Sequence, residues 1–198
     1  MRARWQSFNT EGMPLPIPGR IAETLRRSTV HIRSGDTGRQ GSGSGLMIAS
    51  NRILTNAHVL RGRRVQIEDW EGRQVHAAVV MTSAKRDLAL LEAPALQGSA
   101  AILADSDLLR PGTPVVAIGN PLGFTGAIST GIVHRLAGRD WVCADIQLAP
   151  GNSGGPLADF QGRVIGLNTM VAAGGLALAI SSRALQRFLN DLNYARTA

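Results

Sequence analysis

A regular succession of short apolar or alternating runs, each closed by turn residues, constrains this chain more than any other feature. In the first half the runs fall at 28–33, 45–50, 52–56, 64–69, 74–82 and 87–92; in the second they fall at 114–119, 127–136, 141–147, 155–160, 164–171 and 176–181. Period-two alternation and β-branched content in runs this short predict strands rather than packed helices. Between the two sets lies 93–113, a connector mixing Pro, Gly, Ser and small residues. Six strands on either side of a connector predict an all-β fold of two six-stranded antiparallel β-barrels, since closure removes exposed strand edges. The period changes only at the end. From Ser182, expected as the cap, Leu185, Phe188, Leu189 and Leu192 share one helical face, so 182–198 is expected to form a C-terminal helix and tail. At the other end, 1–27 reads as an N-terminal arm, with a helical turn at about 21–27 and with Trp5 and Phe8 in a proline-bearing stretch of no regular pattern. The first barrel then covers 28–92 and the second 114–181 of one 198-residue domain.

Composition narrows the function classes. With 44% hydrophobic and 18% charged residues the chain can bury a sizeable core. The longest apolar stretch, 171–180, is too short and glycine-rich to span a bilayer, so no membrane association is expected. The basic N-terminus leads into polar residues and prolines where a secretory signal carries its apolar stretch, which predicts a cytoplasmic protein. Cys143 is the single cysteine and has no internal disulfide partner. The net charge is +7, but the arginines are dispersed and the densest run, 61–64, reads as a turn between strands; no nucleic-acid partner is expected. No zinc-ligand spacing or phosphate loop calls for a metal or cofactor.

Chemistry concentrates in Pro150-Gly151-Asn152-Ser153-Gly154-Gly155-Pro156-Leu157, where one serine is embedded in glycines just before an apolar strand. Glycines let the backbone turn tightly and bring main-chain N–H groups beside the hydroxyl. A serine hydroxyl becomes a nucleophile only beside a base, and the base must itself be oriented. The chain offers His58 in Thr55-Asn56-Ala57-His58-Val59 and Asp87 in Arg86-Asp87-Leu88-Ala89-Leu90-Leu91. His31, His76 and His134 alternate with apolar residues in strands and read as packing or surface residues. Asp69, Asp105 and Asp107 are alternatives to Asp87, but only Asp87 begins an apolar strand that carries it beneath His58.

These segments resemble the chymotrypsin-type serine peptidases, and more closely their HtrA (Do-like) branch, in which the order His, Asp, Ser is the same. The resemblance extends to Gly41-Ser42-Gly43-Ser44-Gly45, to 117–123 and to 166–171, and covers roughly 28–192. It implies a serine endopeptidase acting on unfolded or flexible polypeptides, with Ser153 as nucleophile, His58 as base and Asp87 as the group that fixes the imidazole. The main-chain N–H groups of Gly151 and Ser153 then form the oxyanion hole, and Thr169 hydrogen-bonds Asp87. The same resemblance puts Gln147 and Leu148 at the base of the substrate pocket and Thr169, Met170 and Val171 along its wall, with Asp145 farther out. That pocket favours small or medium aliphatic residues. Digestive relatives have an aspartate before the nucleophile that pairs with a newly cut N-terminus; Asn152 stands there, so no activation cleavage is implied. The arm's position resembles the segment through which HtrA peptidase domains form trimers, which implies a homotrimer. HtrA proteins usually carry PDZ domains after the peptidase; this chain stops soon after its terminal helix, so a stand-alone peptidase domain is expected. The alternative is a catalytically quiet chaperone-like or binding module on the same fold.

Overall fold

A computed structural model describes residues 19–36, 39–62, 64–172 and 174–197. Trp5, Phe8 and the rest of the arm to residue 18 lie outside the described residues, as does Arg63. Six strands form the first closed antiparallel barrel: β1 (Thr29–Asp36), β2 (Arg39–Ala49), β3 (Arg52–Thr55), β4 (Val65–Glu68), β5 (Gln74–Ser83) and β6 (Leu88–Glu92), in the order β1-β2-β3-β6-β5-β4. The second contains β7 (Pro114–Gly119), β8 (Ala127–Ala137), β9 (Trp141–Asp145), β10 (Pro156–Asp159), β11 (Val164–Val171) and β12 (Ala177–Ser181), ordered β10-β11-β12-β9-β8-β7. Helix α1 (Gly19–Arg27) precedes the first barrel and helix α2 (Ser182–Thr197) follows the second. Neither helix is long and apolar enough to cross a membrane.

Three strand limits differ from the sequence expectation by more than one residue. β1 runs on to Asp36 rather than ending at residue 33 and β2 begins at Arg39 rather than at residue 45, so these two strands pair well beyond the apolar runs, with Ser34 opposite Gly41 and Asp36 opposite Arg39. The Gly-Ser alternation of 41–45 gives no hydrophobic signal because that strand is pressed against the rest of the molecule. A Cβ on Gly43 would stand 2.7 and 2.8 Å from the Val59 methyls and 3.0 Å from the Ser153 carbonyl. β9 ends at Asp145, two residues before the expected limit at Gln147.

One hairpin device recurs in both barrels. Between β4 and β5 the segment Asp69-Trp70-Glu71-Gly72-Arg73 turns the chain, and between β10 and β11 the segment Asp159-Phe160-Gln161-Gly162-Arg163 does the same. In each, the aspartate Oδ1 accepts two backbone N–H groups, from Glu71 and Arg73 or from Gln161 and Arg163. Its Oδ2 accepts from the arginine Nε at 2.8 Å. α1 touches both hairpins. Ile21 and Leu25, one turn apart, are its buried residues. The Arg27 guanidinium lies 4.7 Å from the Trp70 ring centroid, and Arg20, Ile21 and Thr24 line a cleft with Phe160, Gln161 and Gly162.

The cap of α2 is Ser181, not Ser182: the Ala184 N–H donates to Ser181 Oγ at 3.2 Å. Ser182 turns to the connector instead, donating to Ala104 O at 2.6 Å and accepting from the Ser106 N–H. Leu185 and Phe188 are fully buried and Leu189 partly so; Leu192 lies outside the residues whose side chains are described. Their cluster is shared by the whole molecule. It joins Leu46, Leu54, Leu88 and Leu90 of the first barrel to Val116, Ile118, Leu167 and Ile180 of the second, with Leu25 of α1 and Phe188 of α2.

Candidate active site

His58 lies on a single 3-10 turn, Ala57–Val59, directly after β3. Asp87 occupies the tight turn that leads into β6 and has φ +52°, a left-handed conformation that aspartate tolerates better than most residues. That turn is tied back to the His58 segment, for the Asp87 carbonyl accepts from the Ala57 N–H at 3.2 Å and from Asn56 Nδ2 at 3.0 Å. Its carboxylate meets His58 twice. Oδ1 accepts the His58 backbone N–H at 2.9 Å and Oδ2 stands 2.7 Å from His58 Nδ1. A carboxylate only accepts, so Nδ1 donates, and in the neutral ring this leaves the lone pair on Nε2, the tautomer a general base needs.

Ser153 enters from the second barrel, on the loop between β9 and β10. Its hydroxyl donates to the Thr169 carbonyl at 2.9 Å, and no hydrogen bond joins it to His58. The loop is set by backbone shape: Gly151 has φ +105°, and a Cβ there would stand 2.5 Å from Asn120 O. Among the described residues no acceptor meets the backbone N–H of Gly151 or of Ser153, whereas Asn152, Gly154 and Gly155 all donate within the fold. Two free donors therefore flank the hydroxyl. Buried Ser44 of β2 fastens this loop to the first barrel. It donates to Gly151 O at 2.7 Å and accepts from Asn120 N at 2.9 Å, while its own N–H donates to Ser153 O at 2.7 Å.

Beside Ser153 opens a cleft of about 320 Å³ lined by Leu148, Ala149, Pro150, Asn152, Ser153, Thr169, Met170 and Val171. Gln147 and Asp145 are both exposed and neither contributes to that lining. No ionisable side chain is among the described residues that line the cleft. β10 pairs with β11 only as far as Leu167, so among the described residues the segment from Thr169 to Val171 has β12 on one side and no strand on the other. Thr169 does not reach Asp87 directly. Its hydroxyl donates to Leu167 O at 2.9 Å and accepts from Asn56 Nδ2 at 3.1 Å, so the Asn56 amide stands between the two. His76 and His134 are exposed on strands away from this seam, and His31 is buried in β1, where its Nε2 is 2.9 Å from Ser42 Oγ.

Residues 43–167 match the family described as trypsin-like peptidase domain, a span that runs from β2 through the serine loop into β11. The chain belongs to that family. Among curated relatives of this trypsin-like peptidase domain, serine protease HTRA1 of Xenopus tropicalis is 36% identical over 165 residues, which is 76% of this chain and 36% of that protein. Serine protease HTRA4 of Mus musculus is 34% identical over 192 residues, 86% of this chain and 40% of that protein. Serine protease HTRA1B of Danio rerio is 34% identical over 191 residues, with 86% and 40% covered. The chain thus spans about two fifths of the length of these relatives.

Two participants in this trypsin-like seam were not singled out from the sequence. Ser44 lies inside a glycine-serine run that is noticed for its glycines, and Asn56 sits between Thr55 and Ala57 at the end of an apolar strand. A fully buried amide in that place is itself a signal, because it must find polar partners.

Proposed function

We propose that the chain is a serine endopeptidase in which Ser153, His58 and Asp87 act as a triad. The observation that carries this reading is the doubly bonded His58–Asp87 pair, which fixes the imidazole through Nδ1 and leaves Nε2 as the ring nitrogen available to a substrate or to Ser153. In the reaction His58 Nε2 takes the Ser153 proton as Oγ bonds to the substrate carbonyl carbon. The carbonyl electron pair moves to oxygen, where the N–H groups of Gly151 and Ser153 receive it; one such donor contributes about 3 kcal/mol in comparable sites. Collapse breaks the C–N bond as His58 passes the proton to the leaving amine. Water, deprotonated by the same imidazole, then hydrolyses the acyl-enzyme. Asp87 stabilises the imidazolium that forms in each half. For this to begin, the Ser153 hydroxyl must leave Thr169 O, so the state described here is a resting one. Apo enzymes often tighten their catalytic hydrogen bonds only with substrate bound.

The open side of Thr169–Val171 supports an extended polypeptide as substrate, added as a strand. The apolar lining supports a small or medium aliphatic residue before the cleaved bond, each methylene being worth about 0.8 kcal/mol, or roughly fourfold, when fully used in the transition state. Digestion of an unfolded protein should give cleavage after Val, Ala, Ile or Leu, and Ser153→Ala should abolish it. A fluorophosphonate should add one equivalent to Ser153 by intact mass. Active protein that takes up no adduct would sink the mechanism, and cleavage concentrated after Arg and Lys would sink the pocket assignment. The catalytically quiet reading is favoured only by the Ser153–Thr169 bond, and it expects neither cleavage nor adduct.

A further inference from the structure

The geometry points to Asn56 as a positioning residue for the triad, an inference that rests on the peptidase reading above. Asn56 is fully buried, and its single amide nitrogen donates to two partners in different barrels: the Asp87 carbonyl at 3.0 Å and Thr169 Oγ1 at 3.1 Å. The orientation of the amide is dictated, because the Asp87 carbonyl can only accept. It leaves Asn56 Oδ1 buried without a partner, an arrangement that ordinarily costs about 1–3 kcal/mol. What it holds is the left-handed Asp87 turn on one side and, on the other, the residue whose carbonyl receives the Ser153 hydroxyl. Hydrogen bonds therefore link Ser153 with Thr169, Thr169 with Asn56, Asn56 with Asp87 and Asp87 with His58, with Ser153, Asn56 and His58 as the donors. Both carboxylate oxygens of Asp87 bond to His58 and Thr169 Oγ1 turns to Leu167 O, so the acid is placed through its main chain, which bonds to Ala57 N–H and Ala84 O within the first barrel and which, among the described residues, Asn56 alone links to the second-barrel residue Thr169. Asn56 fixes the distance between the base in one barrel and the nucleophile in the other without touching substrate.

The test compares wild type, Asn56→Ala, Thr169→Val and the double variant on a fluorogenic peptide with Val before the scissile bond, alongside the rate of fluorophosphonate labelling. A displacement of about 1 Å in such a constellation costs on the order of 100-fold. Asn56→Ala should therefore lower kcat by roughly 10- to 100-fold with KM within about twofold, and should slow labelling in parallel. Thr169→Val removes the acceptor from the other side, and the double variant should be little worse than the poorer single one. Asn56→Ala within twofold of wild type in kcat, or fully multiplicative effects of the two single substitutions, overturns the proposal. Should Asn56→Ala fail to fold, the Thr169→Val kinetics still decide: kcat within twofold of wild type rejects the tether. A wild type that neither cleaves nor labels overturns the peptidase reading and this inference with it, whereas an active wild type with an indifferent Asn56→Ala overturns this inference alone.

Discussion

Gly43 is where the two halves of the site press on one strand, and its missing side chain is what lets them meet. Val59 ends the His58 turn and Ser153 O belongs to the nucleophile loop, and both come within 3.0 Å of where a Cβ would stand. Gly43→Ala must push them apart; overpacking of this kind costs about 1–3 kcal/mol, and kcat should fall more than KM rises. Unchanged kcat in a G43A variant of lower Tm would show that the strain is relieved elsewhere. His31 offers a second residue-scale test. Burial first, and then the Arg33 charge, lower its pKa below the ordinary imidazole value, with Glu68 acting in the opposite sense. The unfolded chain therefore binds the proton more readily. Stability is complete above the unfolded pKa and is lost as pH falls from about 6.5 through the folded value. Urea midpoints across that window should decline for wild type and decline less for His31→Asn; parallel curves would reject the assignment. At this scale the sequence singles out His58, Asp87 and Ser153 by their immediate neighbours; the structure sets Asp87 Oδ2 2.7 Å from His58 Nδ1 and turns the Ser153 hydroxyl to Thr169 O. The sequence does not reveal that Asn56 stands between Thr169 and Asp87. That depends on the Thr169 hydroxyl turning to Leu167 O beside the register shift between Asn168 and Met170, which no local spacing encodes.

The elements most readily read were strands whose apolar alternation faces a barrel interior. β7 runs over the residues that alternation predicts, Pro114 to Gly119, with Val115 and Ala117 in one buried cluster and Val116 and Ile118 in another. The apolar pattern shortens β2 because the strand's first half is glycine and serine pressed against the serine loop, where close approach, not hydrophobicity, decides the conformation. The sequence leaves the α2 cap open by one residue because Ser181 and Ser182 are both competent, and only the connector's demand for the Ser182 hydroxyl separates them. The paired Asp-aromatic-x-Gly-Arg hairpins carry a prediction of their own. Asp159 is nearly buried and accepts two backbone N–H groups, whereas its partner Arg163 is half exposed. Asp159→Ala strands those donors and should cost about 1–3 kcal/mol in urea unfolding. Arg163→Ala removes only a screened ion pair and should cost less than about 1 kcal/mol. Equal losses would mean that the ion pair, not the backbone staple, closes the hairpin.

On the scale of the whole molecule the two barrels have separate interiors but a common floor. Val30, Ile32, Ile53 and Ile67 pack within the first and Val133, Val142, Leu157 and Ile165 within the second. The cluster that also takes in α1 and α2 belongs to neither alone. Ser44 and Asn120 pin the seam above it with buried hydrogen bonds, and α1 rests on the matching hairpin of each barrel. A peptidase site divided across such a seam needs its halves to hold one relative position, so cooperativity between barrels is a condition of the proposed function. Trp70 stands on the first-barrel hairpin, and Trp141 stands on β9 of the second barrel, where it also packs against the shared cluster. With Trp5 replaced by Phe, urea unfolding followed through Trp70 alone and through Trp141 alone should give coincident midpoints and slopes, as one two-state unit requires. Phe188→Ala empties the shared cluster and should cost about 3–5 kcal/mol, shifting both probes together although α2 follows the second barrel in sequence. Midpoints that separate, or a Phe188→Ala shift seen by Trp141 alone, would show two independently folding barrels; the seam would then be held by substrate rather than by the fold.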